Sequence, residues 1–288
     1  MTTHHFPAPA KLNLFLHVIG QRNDGYHLLQ SVFMLVDLQD QLSISLREDG
    51  AIHLNSGIAG VDTSTNLVMR AARLLEQFAL ERGLPIAGAD LSLEKHIPMG
   101  GGLGGGSSDA ATTLIALNHL WQLGLTQSEL MQMGLRLGAD VPFFLLGQNA
   151  FVEGIGEQLT PLNPEDAWFV VLHPGVAVPT PLIFGAPHLT RDTKSVKMSD
   201  FSSGLFSFGR NDLQAVAEKA FPEVAAALQW LGKFGDARMS GSGACVFARM
   251  SDQSAAQAVV SQVPAGSGWQ AWHCQSLQSH PLAGLLEK

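Results

Sequence analysis

Residues 98–108 read Pro-Met-Gly-Gly-Gly-Leu-Gly-Gly-Gly-Ser-Ser and lie between a predicted strand and a predicted helix. Six of these residues are glycines, so most of the loop carries no side chain. Glycine can adopt positive φ angles, which lets such a loop place its backbone N–H groups against a ligand. The first N–H groups of a helix have no partner within the helix, and the helix dipole favours negative charge there. The stretch therefore predicts a polyphosphate-binding site.

Other interpretations of this glycine run explain it less well. It lacks the Gly-Lys-Ser/Thr ending of a Walker A loop. Its match to Gly-x-Gly-x-x-Gly, at Gly100, Gly102 and Gly105, is followed by two helices and not by the acidic-ended strand of a dinucleotide fold. A hinge would explain two or three glycines, but not six bounded by a proline and two serines. Ser107 and Ser108 fit either a helix cap or contacts to phosphate or magnesium, and these roles are compatible.

Composition and charge restrict the class of protein. Apolar residues make up 46% of the 288-residue chain and charged residues 15%, which is typical of a globular protein. The length suits one large domain or two of medium size. The formal net charge of −8 gives no overall basic field, so we expect no nucleic-acid partner.

The location of the protein is predicted from its ends, its apolar runs and its cysteines. The first ten residues lack the basic start and apolar core of a signal peptide. No apolar run reaches the roughly 18 residues of a membrane span. Cys245 and Cys274 are too few for a disulfide framework and lack metal-type spacing. We therefore expect a cytoplasmic protein with reduced thiols and no membrane partner.

Residue patterns predict a mixed set of strands and helices without strict alternation, which favours an α+β fold over a doubly wound sheet. The polar segment 179–209 is predicted to be a long surface connection or a flexible lobe. Apolar alternation predicts strands at 11–19, 31–36, 41–46, 90–96, 151–156, 168–172, 245–248 and 269–274. Helical spacing predicts helices at 66–78, 107–123, 126–138 (opened by a capping box), 212–231 (interrupted by Pro222) and 254–262.

Lys11 and Asp140 are candidates for phosphoryl-transfer chemistry. Lys11 opens a predicted strand, and Asp140 lies between a helix end and an apolar run, where a carboxylate without a partner is unfavourable. Beside a bound nucleotide, a carboxylate can accept the proton of an attacking hydroxyl, and a lysine can offset growing negative charge. Asp140 could equally be a capping aspartate, and the spacing alone does not show that the two residues meet.

Three further features have both a binding and a structural interpretation. Tyr26 and His27 follow the turn Asn-Asp-Gly at 23–25, so Tyr26 could stack on a base or cover the edge of the core. Lys95 could offer a cation to a nucleotide or simply be solvated. The small-residue loop 239–244 could form a tight turn or approach a substrate.

Three segments in order resemble the GHMP kinases, named for galactokinase, homoserine kinase, mevalonate kinase and phosphomevalonate kinase. They are Pro-Ala-Lys-Leu-Asn-Leu at 9–14, the glycine run at 98–108, and Met-Ser-Gly-Ser-Gly-Ala at 239–244. Segments 22–27, 95–98, 138–143 and 179–184 resemble one branch of that family, which acts on a cytidine diphosphate derivative of methylerythritol.

The resemblance implies a two-domain α+β GHMP kinase fold, with domains at 1–155 and 156–288 and the active site in the cleft between them. It implies phosphorylation of the 2-hydroxyl of the cytidine diphosphate methylerythritol, a step of non-mevalonate isoprenoid synthesis. ATP would be the co-substrate, with Mg²⁺, although the sequence has no dedicated metal-ligand cluster. A monomer or weak homodimer is expected. The rival interpretations are a kinase of another small alcohol, such as homoserine or mevalonate, and a nucleotide-binding module without catalysis.

The resemblance also implies residue roles. Asp140 would act as base or hydrogen-bond acceptor, and Lys11 would orient it and stabilise charge. Tyr26 and Phe184 would flank the cytosine, His27 would bind its polar edge, and Asn13 would touch the substrate. Lys95 would lie near the adenosine. The residues that would wrap the ATP phosphates are Pro98, Met99, Gly100, Gly101, Gly102, Leu103, Gly104, Gly105, Gly106, Ser107 and Ser108.

Overall fold

Two β-sheets organise the computed structural model, which describes residues 2–55, 64–201 and 204–286. The strands of the first sheet are β1 (Thr3–Gln21), β2 (His27–Arg47), β3 (Ile52–Leu54), β4 (Gly88–Glu94), β5 (Ala150–Glu153) and β6 (Gln158–Pro161). Their order is β3-β4-β2-β5-β6, and β1 pairs with β2 along most of its length. Only β3 and β4 are parallel among these pairs of the described residues.

The second sheet is antiparallel and has the order β10-β7-β9-β8. Its strands are β7 (Trp168–His173), β8 (Arg238–Met239), β9 (Val246–Met250) and β10 (Gln270–Gln275).

Helices cover both sheets. The first group is α1 (Leu67–Glu81), α2 (Gly105–Leu120), α3 (Gln127–Leu137) and α4 (Val141–Leu146), and the second is α5 (Thr180–Phe184), α6 (Gln214–Ala220), α7 (Pro222–Leu231) and α8 (Gln253–Val260). α2 packs against α1, α4 and β1, and it is buried from Ser108 to Asn118. Because its N-terminus is held on several sides, the loop before it has a fixed position.

A hydrophobic core between the two sheets joins the halves of the molecule. Leu12, Phe15 and Met34 from β1 and β2 meet Phe169 and Phe247 from the second sheet. A separate cluster fills the space under α1–α4, and another lies under α6–α8. The inner parts of β1 and β2 are therefore buried on both faces, which explains why their apolar residues follow one another without strict alternation.

The structure confirms the α+β class and corrects several element boundaries. The strands predicted at 31–36 and 41–46 are one strand, β2, because Asp37 and Leu38 bulge out between the pairs Val36–Ala10 and Gln39–Pro9 while the pairing with β1 continues on both sides. The helix predicted at 212–231 is interrupted before Pro222, as expected. The sequence patterns do not predict α4, and segment 179–209 contains α5 and two short 3₁₀ turns.

The chain crosses between the two halves more than once. The predicted domain boundary, between residues 155 and 156, falls between β5 and β6, which pair with each other in the first sheet. Near the other end of the chain, Leu286 packs into the core under α1–α4. Within the described residues, no helix has both the length and the apolar character that a membrane span needs.

Candidate active site

The glycine run forms the loop from β4 into α2. Gly100, Gly102 and Gly104 have φ angles of 65°, 74° and 73°. Gly104 is the N-cap of α2 in the left-handed conformation and offers no side-chain cap. Ser107 and Ser108 therefore lie inside the first turn, and the expectation that they cap the helix is wrong. The first N–H groups of α2 remain without a side-chain acceptor, as an anion site requires.

Two of the glycines are needed for packing against the protein itself. A Cβ on Gly101 would lie 2.7 Å from Sγ of Cys245, and one on Gly102 would lie 2.1 Å from the carbonyl oxygen of Ser240. The N–H groups of Ala244 and Cys245 donate to the carbonyls of Gly100 and Gly101, at 3.1 and 3.0 Å. The loop at 239–244 thus docks on the glycine run and ties the second half of the chain to the first.

Lys11 and Asp140 meet beside this junction. Nζ of Lys11 lies 3.6 Å from Oδ2 of Asp140, donates to Oδ1 of Asn13 at 2.5 Å, and donates to the carbonyl of Gly102 at 3.1 Å. Lys11 is only 3% exposed, and its ammonium lies 4.6 Å from the centre of the Phe33 ring. Burial lowers the pKa of Lys11, while the charge of Asp140 opposes that shift. The ammonium is thus held in one place by three polar partners.

The Asp140 carboxylate is free to face a ligand. Asp140 occupies the N-cap position of α4, but its side chain makes no capping hydrogen bond, so the capping interpretation does not hold. Its side chain is 33% exposed and lines a cavity of about 620 Å³. Asn13 lines the same cavity and is fixed by a 3.0 Å hydrogen bond from its Nδ2 to Oγ of Ser31. The arrangement can orient a hydroxyl group between a carboxylate and an ammonium.

Aromatic rings lie at another part of this cavity. Tyr26 is 60% exposed, so it does not cover the core edge, and it lines the cavity together with His27 and Phe184. The ring centres of His27 and Phe184 are 5.0 Å apart. Phe184 comes from the end of α5 and Tyr26 from the turn before β2, so both halves of the chain contribute. Arg22, at the start of the turn that carries Tyr26, is paired with Asp24 at 2.6 Å.

A second cavity, of about 350 Å³, lies on the other side of the glycine loop. Three residues predicted to bind ATP do not line it: Gly102 faces the larger cavity, Leu103 packs into the core between the sheets, and Ser108 is fully buried. Asn66, the N-cap of α1, lines it without having been predicted. The predicted residues that do line it are Lys95, Pro98, Met99, Gly100, Gly101, Gly104, Gly105, Gly106 and Ser107.

Lys95 is not a solvated lysine, because its ammonium lies between Asp40 and Asp109. Nζ donates to Oδ2 of Asp109 at 2.7 Å and to Oδ2 of Asp40. Asp40 also accepts the N–H groups of His96 and Ile97, at 2.6 and 2.8 Å. Burial alone would lower the pKa of Lys95, but the two carboxylates together raise it. The sequence did not predict either aspartate as a partner of Lys95, because no local sequence pattern places them beside that lysine.

The two aspartates are not equivalent. Asp40 satisfies one ammonium and two backbone N–H groups, whereas Oδ1 of Asp109 is buried without a hydrogen-bond partner among the residues that the structure describes. Burial raises the pKa of Asp109 to about 7, the charge of Lys95 opposes this shift, and that of Asp40 adds to it. Near neutral pH the raised pKa of Lys95 keeps its ammonium charged, whereas the carboxyl of Asp109 is partly protonated.

We expect opposite outcomes for Asp40→Asn and Asp109→Asn. Removing the charge of Asp40 leaves a buried ammonium poorly paired and should lower the free energy of unfolding by about 3–5 kcal/mol. Asp109→Asn should be tolerated. Because the pKa of Asp109 is higher in the folded state than in the unfolded state, the free energy of unfolding of the wild type falls as pH rises from about 4 to 7. The Asn variant has no such titration, so its stability relative to the wild type should increase over the same pH range. Urea unfolding at pH 5 and pH 7.5 measures both; equal effects of the two substitutions would contradict this asymmetry.

Comparisons with known proteins agree with this geometry. The model described as "GHMP kinases N terminal domain" matches residues 66–148, and "GHMP kinases C terminal" matches residues 194–267. The chain belongs to the GHMP kinase family.

Within the family, the chain groups with the 4-diphosphocytidyl-2-C-methyl-D-erythritol kinases. It is 59% identical to that kinase of Janthinobacterium sp. (strain Marseille), over 100% of this chain and 99% of the relative. It is also 59% identical to that of Herminiimonas arsenicoxydans, over 99% and 98%. A crystal structure of 4-(cytidine 5'-diphospho)-2C-methyl-D-erythritol kinase superposes with a TM-score of 0.81 and 34% identity, covering 95% of this chain and 99% of the other. A mevalonate kinase, at 15% identity and a TM-score of 0.69, shares the fold.

Proposed function

We propose that this chain transfers the γ-phosphoryl group of ATP to the 2-hydroxyl of 4-(cytidine 5'-diphospho)-2-C-methyl-D-erythritol, in the non-mevalonate route to isoprenoids. The observation that carries the proposal is the Lys11–Asp140 pair at the glycine loop, where Asp140 lines the larger cavity. The loop and the smaller cavity suit a nucleotide, and the larger cavity suits a substrate with an aromatic base at one end. The names of the full-length relatives support the same reaction.

In this proposal, each group at the reacting centre has a separate role. Asp140 accepts the hydrogen bond of the substrate hydroxyl and takes its proton as the oxygen attacks. Lys11 keeps the carboxylate in position and offsets the negative charge that grows on the transferred group. The backbone N–H groups at the start of α2 bind the phosphate oxygens. Lys11 reaches the site through a core position on β1, so its ammonium cannot swing away into solvent.

The residues present also fit a magnesium nucleotide. The described residues contain no cluster of three or more His, Cys, Asp or Glu side chains arranged for a metal. Ser107, in the first turn of α2, lines the smaller cavity, and we assign its hydroxyl to the metal–phosphate group. Magnesium supplies charge neutralisation to the phosphates when it is bound.

We assign the aromatic end of the larger cavity to the cytosine. Tyr26 and Phe184 stack on the base, His27 binds its polar edge, and Asn13 contacts the substrate near Lys11. Lys95 lies on the adenosine side of the loop, with its position set by the two carboxylates. The domain limits 1–155 and 156–288, the cytoplasmic location and the monomeric or weakly dimeric state stay predictions.

An ATP-consumption assay over a panel of alcohols tests the proposed reaction. We expect turnover with diphosphocytidyl methylerythritol and none above background with mevalonate or homoserine. Preferential turnover of either of the other two alcohols would refute the proposed substrate.

Replacing the exposed ring tests the assignment of the base. Tyr26→Ala should raise KM for the cytidylyl substrate about 5- to 150-fold, because base–aromatic stacking contributes about 1–3 kcal/mol, and leave KM for ATP unchanged. Tyr26→Phe keeps the ring and should stay near the wild type. Leu135→Ala, which removes an exposed apolar side chain on α3, is the control for nonspecific effects. An equal rise in both KM values would count against stacking.

A further inference from the structure

The guanidinium of Arg191 makes four hydrogen bonds to groups at or next to the base end of the larger cavity. Its Nε donates to Nε2 of His27 at 3.0 Å, and its Nη1 donates to the carbonyl of Leu189 at 3.1 Å. Its Nη2 donates to the carbonyls of Phe184 and Ala186, at 3.0 and 2.9 Å. One side chain therefore holds a histidine on β2 and the end of α5 at the same time.

The hydrogen bond between Arg191 and His27 defines the protonation state of the histidine. An arginine N–H can only donate, so Nε2 of His27 accepts, and the proton of the neutral ring lies on Nδ1. Burial and then the charge of Arg191 lower the pKa of His27, which favours this neutral form. Nδ1 has no hydrogen-bond partner within the part of the chain that the structure describes. The ring therefore offers one N–H donor to a ligand.

A fixed N–H donor distinguishes between pyrimidine bases. N3 of cytosine is a hydrogen-bond acceptor, whereas N3 of uracil carries a hydrogen. The opposite histidine tautomer would present an acceptor at Nδ1 and would suit uracil at that position. A neutral histidine whose tautomer is unconstrained could bind either base.

We infer that Arg191 is a positioning residue that fixes the tautomer of His27 and thereby makes the base subsite selective for cytosine over uracil. This inference rests on the proposed function, which places the base beside His27. The same guanidinium binds the carbonyl of Phe184, whose ring lies 5.0 Å from that of His27, so the stacking partner and the polar partner are held as one unit.

The tautomer can be read directly in the free enzyme. In ¹⁵N-labelled protein, the chemical shifts of the two ring nitrogens show which one carries the hydrogen, and the His27→Gln variant assigns the signal among the eleven histidines. We expect the Nδ1–H form for His27 at neutral pH in the wild type. The Nε2–H form in the wild type would overturn the inference, and this measurement needs no Arg191 variant to fold.

Kinetic measurements on Arg191 variants distinguish a positioning role of this residue from a general loss of structure. Arg191→Met removes every donor at similar length and should reduce the preference for CDP over UDP, measured as the ratio of their competitive Ki values at saturating ATP, by about five- to tenfold. KM for ATP should not change. Arg191→Lys keeps one cationic donor and should restore part of the preference. Arg249→Met is the control, since Arg249 pairs with Glu165 away from both cavities of the site.

The outcomes distinguish this inference from the proposed function. If the wild type prefers CDP and Arg191→Met keeps that preference, Arg191 does not set selectivity, and only this inference fails. An equal rise in KM for both substrates would show a structural role and overturn it as well. If the wild type binds neither CDP nor UDP at this cavity, the proposed substrate itself is wrong.

Discussion

Asp140→Asn should lower kcat by about 100- to 10,000-fold and leave the affinity for ATP within about twofold of the wild type. The amide keeps the size and one acceptor oxygen of the carboxylate, but it cannot take the proton of the attacking hydroxyl. The carboxylate lies 3.6 Å from the buried ammonium of Lys11 and does not cap α4, and Asn13 and the carbonyl of Gly102 still hold Lys11 in the variant, so we expect the ATP side of the site to keep its geometry. Single-turnover phosphoryl transfer and calorimetric ATP titration measure the two quantities separately.

A second variant tests whether Asp140 and Lys11 act as one unit. Lys11→Met should also lower kcat, and the double variant should lose no more than the more damaged single variant, because groups that act together are not additive. Glu223→Gln, at an exposed carboxylate in the first turn of α7, is the control for charge removal. Retained turnover in Asp140→Asn would remove this residue from the mechanism, and full additivity would separate the roles of the two groups.

The catalytic pair shows what the sequence could and could not predict. The types of the two residues and their flanking motifs pointed to phosphoryl transfer, and the resemblance paired them. Their contact depends on the path of the chain, because Lys11 lies on β1 and Asp140 follows α3, and three strands and three helices lie between them in the sequence. No local sequence pattern predicts a contact between residues that are so far apart in the chain.

The cluster of Lys95, Asp40 and Asp109 could not be predicted from the sequence for a different reason. Asp40 belongs to β2, and its position opposite Lys95 follows from the register in which Gln41 pairs with Glu94. Asp109 lies four residues after Gly105, where the helix begins two residues earlier than its apolar spacing indicates. The strand register depends on sheet pairing, and the start of the helix depends on the glycine conformations, so local sequence patterns predict neither. For this reason, the sequence alone did not decide whether Lys95 is solvated or has charged partners.

The sequence identified the glycine run as important, but ligand binding is only part of the reason for its glycines. Their bare backbone was expected to serve a ligand, and the start of α2 does leave N–H groups free for one. Gly101 and Gly102 are instead required by the loop at 239–244, which packs where their Cβ atoms would be. The loop at 239–244 therefore explains why glycine is required at two positions of the glycine run. The sequence of either segment alone does not show this requirement.

Gly102→Ala should be among the most damaging single substitutions in the chain. Its Cβ would lie 2.1 Å from the carbonyl oxygen of Ser240, and its φ of 74° is unfavourable for alanine. The strained φ costs about 1–2 kcal/mol and the overpacking about 1–3 kcal/mol more, so we expect a loss of about 2–5 kcal/mol in the free energy of unfolding. The carbonyl of Gly102 also accepts from Lys11 at 3.1 Å, so any relief of the clash shifts the catalytic ammonium and lowers kcat.

Gly124→Ala separates the two contributions. Gly124 has a φ of 65° but nothing within 4 Å of an added Cβ, so its substitution measures the strain alone and should cost about 1–2 kcal/mol with kcat unchanged. Urea unfolding followed by tryptophan fluorescence, with kcat on the same samples, compares the variants. If Gly102→Ala were no more harmful than Gly124→Ala in either measurement, the glycine loop would not be held against residues 240–245 in solution.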